Sequence, residues 1–171
     1  MGEMNKKNVS SDANLELEPV NMYVLFARMF ADIAREVEAD FGEAGIQAVR
    51  RGVQRFGERR GEDIARRAAV MGHANDAEHY LSCYDMGRSD YFYSVDDVKS
   101  RSVEQLFTKC VFAKTWADDG DEKYGIHYCQ IIDPAIAYGY NKNFACIHDQ
   151  HFFKDGKCHF LFEMKEEQEN K

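Results

Sequence analysis

The sequence predicts an α+β fold, in which N-terminal helices pack on an antiparallel sheet that ends in a C-terminal β-hairpin. Apolar residues recur at helical spacing through the first half of the chain, whereas the last third contains two β-type runs on either side of an Asp-Gly pair. Helices followed by strands, rather than the two in alternation, are typical of this fold class.

The length, net charge and apolar runs of the chain exclude several classes of function. The 171 residues suit one domain with a hydrophobic core, and we predict a mobile segment at 1–16, a single α+β domain at 17–164 and a charged tail at 165–171. A formal net charge of −8 argues against general binding to nucleic acid or to an anionic membrane surface. Because the sequence shows neither a long apolar run nor the apolar core of a secretion signal, we expect a cytoplasmic protein.

Two helical patterns open the chain. The first begins after Asn21, a residue type that caps helices, and the second covers residues 42–71. Gly57 and Gly61 share one face of the second helix, and because an interior glycine costs about 1 kcal/mol relative to alanine, the pair indicates close approach by another element. The apolar positions that define the first pattern are Met22, Leu25, Phe26, Met29, Ile33 and Val37.

Arginines are concentrated on the second helix, mostly away from its apolar stripe. A solvated charged face explains most of them. The sharper hypothesis is that Arg59 or Arg60 reaches around the helix to hold an anionic ligand. The seven positions are 50, 51, 55, 59, 60, 66 and 67.

The middle of the chain predicts shorter elements. We expect a short helix near residues 75–86, a β-like segment at Tyr91–Val95 and a strand that ends near Cys110. A short helix should follow this strand and stop at Gly120.

The C-terminal hairpin has its own register prediction. With Asp155-Gly156 as a two-residue turn, Phe153 would face Cys158. His151 would then face Phe160. The face so formed would carry Ile147, Asp149, His151, Phe153, Cys158, Phe160, Phe162 and Met164.

The stretch 124–141 places His127, Cys129 and Asp133 among apolar and aromatic residues. If it is helical, Cys129 and Asp133 lie on one face with Cβ atoms about 6 Å apart. If it is a strand, they lie about 13 Å apart and cannot touch. Pro134 favours the first turn of a helix, so Asp133 could instead be the N-cap of that helix.

Other cysteines compete as nucleophiles. The chain has five, with no C-x-x-C pair, so we expect free thiols that become reactive where a base or a positive charge lowers the pKa. Cys110 ends a predicted strand, a common place for active-site residues. Cys158 would be a diagonal neighbour of His151 in the predicted hairpin, although a buried thiol beside a core histidine is the commoner outcome.

Metal and cofactor sites are not predicted. His148, His151, His159 and Asp149 could supply ligands, but strand residues three apart, such as His148 and His151, should point to opposite faces. No spacing matches a zinc signature, a phosphate-binding loop or a dinucleotide fingerprint.

Several segments in order give the chain a family resemblance. Together they resemble the L-2-amino-thiazoline-4-carboxylic acid hydrolase-like family over roughly residues 40–163. A weaker likeness is to the vinyl-reductase-type ligand-binding domains, which are also α+β. The matching segments are "FGEAGIQAVRRGVQRFGERRGEDIARRA", "KCVFAKTWADDG", "YCQIIDPAIAYGYN" and "DGKCHFLF".

The resemblance implies hydrolysis of a small cyclic amidine or amide that carries a carboxylate, at a C–N or C–S bond. The family pattern has cysteines that match Cys110, Cys129 and Cys158 and an acid that matches Asp133. As a mechanism, Cys110 or Cys129 would attack the carbon between the ring heteroatoms, while Asp133, with His127 or His151, would relay protons. Asn141 would steady the developing charge, and Arg59 or Arg60 would hold the substrate carboxylate.

The chain departs from the pattern at "KDGKC", a tighter approach to the last cysteine than the family shows, and at Pro134. The second hypothesis is therefore a non-catalytic small-molecule binding or sensor domain of the vinyl-reductase type. A homodimer is a further hypothesis, because so aromatic a hairpin would need cover along its edge or outer face.

Overall fold

The computed structural model describes residues 19–87 and 89–165. Helices pack on one face of a four-stranded antiparallel sheet, so the predicted α+β class is confirmed. The predicted mobile segment at 1–16 and all of the charged tail except Lys165 lie outside the described residues. No helix within the described ranges is both long and apolar enough to cross a membrane.

The first helix, α1, spans Met22–Val70 and contains both predicted helical patterns. Asn21 caps it as expected, because its side-chain Oδ1 accepts a hydrogen bond from the Tyr23 N–H at 2.8 Å. The two patterns meet at Gly42, whose φ of +58° breaks the helical geometry and kinks α1 there.

The N-terminal half of α1 buries its alanines and exposes four of its large aliphatic residues, while Phe26 and Phe30 pack against the core. Its fully buried positions are Ala27, Ala31 and Ala34. Small side chains let the helix axis approach the core closely, and the core aromatics fill the space beside it. The homodimer predicted from the aromatic hairpin stays a prediction. The exposed positions are Met22, Leu25, Met29 and Ile33.

The remaining elements follow α1 in quick succession. A single-turn α2 and the 3-10 turn that follows it occupy part of the predicted 75–86 helix. The helices are α2 Ala77–Tyr80, α3 Val111–Asp119, α4 Glu122–Cys129, α5 Ile132–Tyr140 and α6 Phe152–Asp155. The strands are β1 Phe92–Val98, β2 Ser102–Cys110, β3 Phe144–Gln150 and β4 Cys158–Met164, in the sheet order β1-β2-β4-β3.

The glycine pair of α1 makes the predicted close approach, and its partner is α5. A Cβ on Gly57 would lie 2.6 Å from the Ala135 Cβ, and a Cβ on Gly61 would overlap the backbone of Ile136 and Tyr140. The contact is reciprocal, because Gly139 of α5 meets the α1 backbone at Glu58. This crossing fixes α5 against α1 and so sets the position of the residues at the α5 N-terminus.

Large aromatic side chains fill the layer between the helices and the sheet. Trp116 of α3 is fully buried, and its indole N–H donates to the Ala27 carbonyl at 2.8 Å. Tyr80 is also fully buried and packs against Phe144 of β3 and Phe162 of β4. The inner face of the sheet is therefore the core face, and the opposite face is solvated.

The predicted hairpin register is wrong. Instead of a two-residue Asp-Gly turn, β3 and β4 are joined through the single-turn helix α6, which ends at Gly156 with φ +67°. Cross-strand pairing then places His148, not His151, opposite Phe160. Ile147 and Asp149 lie on the outer face, and Ile147 is 52% exposed.

Candidate functional site

Three cysteines from different elements meet at the inner face of the sheet. Cys110 is the last residue of β2, Cys129 is the last residue of α4 and Cys158 is the first residue of β4. Burial raises the pKa of all three thiols, and the charge of Asp133 raises each of them further, as it also does for Cys146 of β3. The thiols of Cys110 and Cys158 add to this effect on Cys129. We call Cys110, Cys129, Cys158 and Asp133 the thiol cluster.

Cys110 lies at the junction between strand and helix that the sequence predicted. It is the N-cap residue of α3, and the backbone N–H groups of Phe112 and Ala113 act on its thiol and lower the pKa. Burial has the larger, opposite effect and raises the pKa of Cys110 to about 11. A helix N-terminus favours a thiolate, so the position is suited to a nucleophile that loses its proton only when a base takes it.

The other two thiols are more strongly held in the neutral form. Burial raises the pKa of Cys158 to about 12, although the Phe152 backbone N–H acts in the opposite direction. Burial also raises the pKa of Cys129 well above its usual value. Of the three, Cys110 therefore requires the least free energy to ionise.

Asp133 occupies the first turn of α5 and is not its N-cap. The helix begins at Ile132 with Ile131 in the cap position, so the capping hypothesis for Asp133 is wrong. The single continuous helix considered for this stretch is also wrong, because α4 ends at Cys129 before α5 begins.

The carboxyl of Asp133 titrates near neutral pH. Burial raises its pKa to about 6, while the positive charge of Arg60 and the Asp133 backbone N–H act to lower it. A carboxyl with such a pKa exchanges protons readily at physiological pH, as general acids and bases do.

Arg60 is the arginine that the structure brings near this carboxyl. Its side chain is 12% exposed and forms a bidentate pair with Asp85, with both N–O distances 2.7 Å. The guanidinium also lies over the Tyr84 ring, 5.5 Å from its centroid. Arg59, in contrast, is exposed on the outside of α1.

Two other predicted site residues have their contacts elsewhere. His127 faces α1, where its Nδ1 atom lies 3.1 Å from Nη1 of Arg50. Asn141 ties two loops together, since its amide donates to the Asn75 carbonyl at 2.6 Å and its Oδ1 accepts from the Asn143 N–H at 2.8 Å. The structure does not bring either side chain into the thiol cluster.

A pair of histidines borders the cluster on the sheet side. A register shift in β3 after His148 turns His151 to the same side, and the two ring centroids are 3.8 Å apart. The expectation that these residues point to opposite faces is therefore wrong. His148 Nδ1 lies 3.2 Å from the Cys129 carbonyl oxygen.

Tyrosines around Asp133 were not anticipated from the sequence. Burial is the main cause of the raised pKa values of Tyr84 and Tyr128. The carboxylate charge of Asp133 raises both further, while Arg60 acts to lower them. Tyr128 immediately precedes Cys129 in the sequence, and this adjacency is the one local signal that could have indicated its place near the site. Across residues 19–87 and 89–165, no group of three or more His, Cys, Asp or Glu side chains is arranged to hold a metal ion.

Comparison with known families supplies the identity of the chain. Residues 22–162 match the family model described as L-2-amino-thiazoline-4-carboxylic acid hydrolase. The chain belongs to this family. The family name denotes a hydrolase, and the match includes every residue of the thiol cluster. No curated protein and no solved structure matches the chain.

Proposed function

We propose that the chain is a cysteine-dependent hydrolase that opens a small cyclic amidine or amide carrying a carboxylate, in the manner that the family name implies. The observation that carries this proposal is the convergence of three thiols and one carboxyl from four separate elements in the thiol cluster. Burying a carboxyl costs free energy, and a purely structural core gains nothing from it, so the buried carboxyl favours a functional role.

Cys110 is the proposed nucleophile. The N–H groups of Phe112 and Ala113 act in favour of its thiolate, whereas Cys129 lies at the C-terminal end of its own helix. Asp133 is the proposed proton acceptor, because with a pKa of about 6 it is mostly ionised at neutral pH. The proton that leaves the Cys110 thiol would go to this carboxylate.

The proposed reaction has two stages. In the first, the Cys110 sulfur bonds to the carbon between the ring heteroatoms, and the electron pair of the C=N bond moves to nitrogen, which takes the proton from Asp133. The ring C–N or C–S bond then breaks as a nitrogen that stays on the carbon forms a C=N bond, and the proton that this nitrogen loses goes to the leaving heteroatom. In the second stage, water adds to the S-linked carbon, the C–S bond to Cys110 breaks and the thiol recovers its proton.

The substrate carboxylate is proposed to lie toward Arg60. Its guanidinium already acts electrostatically on Asp133, Tyr84 and Tyr128, so its positive charge reaches the thiol cluster. The contacts of Arg59, His127 and Asn141 offer no comparable support for the roles that the resemblance implied.

The experiment compares Cys110→Ser and Cys129→Ser with Cys83→Ser as a matched control. Cys83 is buried but contacts Met71 and Ser82 away from the cluster, so its replacement should leave activity intact. With L-2-amino-thiazoline-4-carboxylate as substrate, Cys110→Ser should lose about 10⁴-fold or more in turnover. If Cys110→Ser and Cys129→Ser both retain full ring-opening activity, the thiol mechanism is wrong.

A non-catalytic binding domain is the second candidate. It is favoured by the raised pKa of every thiol in the cluster, since binding needs no thiolate. Iodoacetamide labelling at neutral pH separates the two proposals. One thiol that reacts fast and is protected by L-2-amino-thiazoline-4-carboxylate supports the hydrolase, whereas uniformly slow labelling supports the binding domain.

A further inference from the structure

His148 carries an unpaired nitrogen at the border of the thiol cluster. Its Nδ1 atom is 3.2 Å from the Cys129 carbonyl, and because a carbonyl oxygen only accepts hydrogen bonds, Nδ1 carries the proton. The neutral ring then presents a lone pair at Nε2. Within the described residues, the buried Nε2 atom has no hydrogen-bond partner.

The surroundings of His148 keep its ring neutral and fixed. Its centroid is 4.1 Å from that of Phe160 and 3.8 Å from that of His151. Burial, followed by the neighbouring His151, lowers the pKa of His148 to about 4, so the ring is unprotonated at neutral pH. A neutral imidazole whose orientation is set by one nitrogen is a common arrangement for a base that works through the other.

The ring adjoins the cluster at Cys129 and packs against His151, which precedes a second segment that reaches the cluster. The Cys129 carbonyl holds Nδ1 on one side. On the other side, His151 is followed in sequence by Phe152, whose backbone N–H acts on the Cys158 thiol. The ring therefore adjoins the cluster at Cys129 rather than lying in a separate part of the core.

A buried acceptor without a donor costs free energy, so its retention calls for an explanation. We propose that Nε2 of His148 is the general base for the second stage of the reaction, in which water releases the S-linked intermediate. This inference rests on the proposed function. Nε2 takes a proton from water as the oxygen bonds to the carbon, and the imidazolium returns it to the Cys110 sulfur as the C–S bond breaks.

The alternative is that His148 has only a structural role, in which its Nδ1–H bond holds the Cys129 carbonyl in place; we call this bond the brace. His148→Asn separates the two roles, because the asparagine amide nitrogen can occupy the position of Nδ1 and keep the brace while Nε2 is removed. His148→Gln does the reverse, placing an amide near the Nε2 position and losing the brace. His159→Asn is the matched control, since His159 lies on the solvated face of the same sheet.

The experiment measures steady-state turnover of L-2-amino-thiazoline-4-carboxylate together with the intact mass of the acid-quenched protein. His148→Asn should lose about 10²- to 10⁴-fold in turnover while a substrate-derived mass accumulates on the protein, and His159→Asn should behave as wild type. Turnover of His148→Asn at the wild-type rate would overturn the inference. It would also be overturned if His148→Asn and His148→Gln lost turnover to the same extent and neither accumulated the substrate-derived mass. If the wild-type protein shows neither adduct nor turnover, the proposed function itself fails.

Discussion

The two faces of the sheet hold histidines in opposite states. On the inner face, burial and His151 lower the pKa of His148 to about 4. On the outer face, hydrogen bonds to Asp149 and Glu104, at 2.6 and 2.9 Å, raise the pKa of His159 above its usual value. His148 lies opposite Phe160, the residue next to His159, so the two environments are separated by little more than the thickness of the sheet.

Other titratable groups of the inner face are, like His148, held toward their neutral forms by burial. The thiols of the cluster and the carboxyl of Asp133 all have raised pKa values, so burial favours the neutral form of each acid. Chemistry at this face must therefore begin with proton transfer from a neutral thiol to the ionised carboxyl of Asp133. The outer face holds charged groups in water and has no such requirement.

The largest expected effect comes from separating the helices that cover the inner face. In Gly61→Ala the new Cβ meets the Ile136 and Tyr140 backbone, which cannot move aside without displacing α5. We expect a loss of about 3 kcal/mol or more in the free energy of unfolding, measured by urea denaturation.

Gly52→Ala is the control for this substitution. Gly52 lies in the same helix, and a Cβ there meets nothing within 4 Å. This variant should gain roughly 0.5–1 kcal/mol, because alanine favours the helix. Equal stability of the two variants would show that the α1–α5 contact is looser than the structure indicates.

The next effect concerns the cost of the buried carboxyl. Because the folded pKa of Asp133 is about 6 against a usual 3.8, its charge destabilises the fold fully above pH 6 and not at all below 3.8. Asp133→Asn should therefore gain up to about 3 kcal/mol at pH 7.5, from about 1.4 kcal/mol per pKa unit, and lose that advantage near pH 3.8.

The same Asp133→Asn variant should lose ring-opening activity, since the amide cannot accept a proton. Urea denaturation at the two pH values and a turnover assay check both parts. A variant that is less stable than wild type at pH 7.5 would mean that Arg60 stabilises the charge more than burial penalises it.

The smallest expected effect lies on the outer face. The folded pKa of His159 is raised, so its bonds to Asp149 and Glu104 stabilise the fold below the ordinary value of 6.5 and are lost as the pH rises through the folded pKa. His159→Asn should cost roughly 0.5–1 kcal/mol at pH 6 and almost nothing at pH 9. Thermal or urea unfolding at the two pH values measures this, and a larger loss at pH 9 would contradict the account.

Local patterns predicted much of this molecule. The spacing of Gly57 and Gly61 indicated a close helix contact before its partner was known, and Cys110 was placed at a strand end before a helix that stops at Gly120. These features depend on residues near one another in sequence. Glycine and capping preferences act over that range.

Such local patterns could not predict contacts between residues far apart in the sequence. Nothing local pairs Arg60 with Asp85, and the Asp155-Gly156 signal did not reveal that a helical turn would replace a tight hairpin. The register shift after His148 depends on how β3 meets β4, so the sequence alone placed His148 and His151 on opposite faces. The apolar spacing of the first pattern correctly indicated a helix, but four of its six positions are exposed, because which side of the helix is buried depends on the elements packed against it.

The most direct test of the central claim is peptide mass mapping of the protein quenched in acid during turnover of L-2-amino-thiazoline-4-carboxylate. We expect a substrate-derived mass on the peptide that contains Cys110 and none on the peptide that contains Cys83, whose thiol contacts Ser82 and Met71 instead. Product formation at the full rate with every thiol unmodified would contradict this expectation.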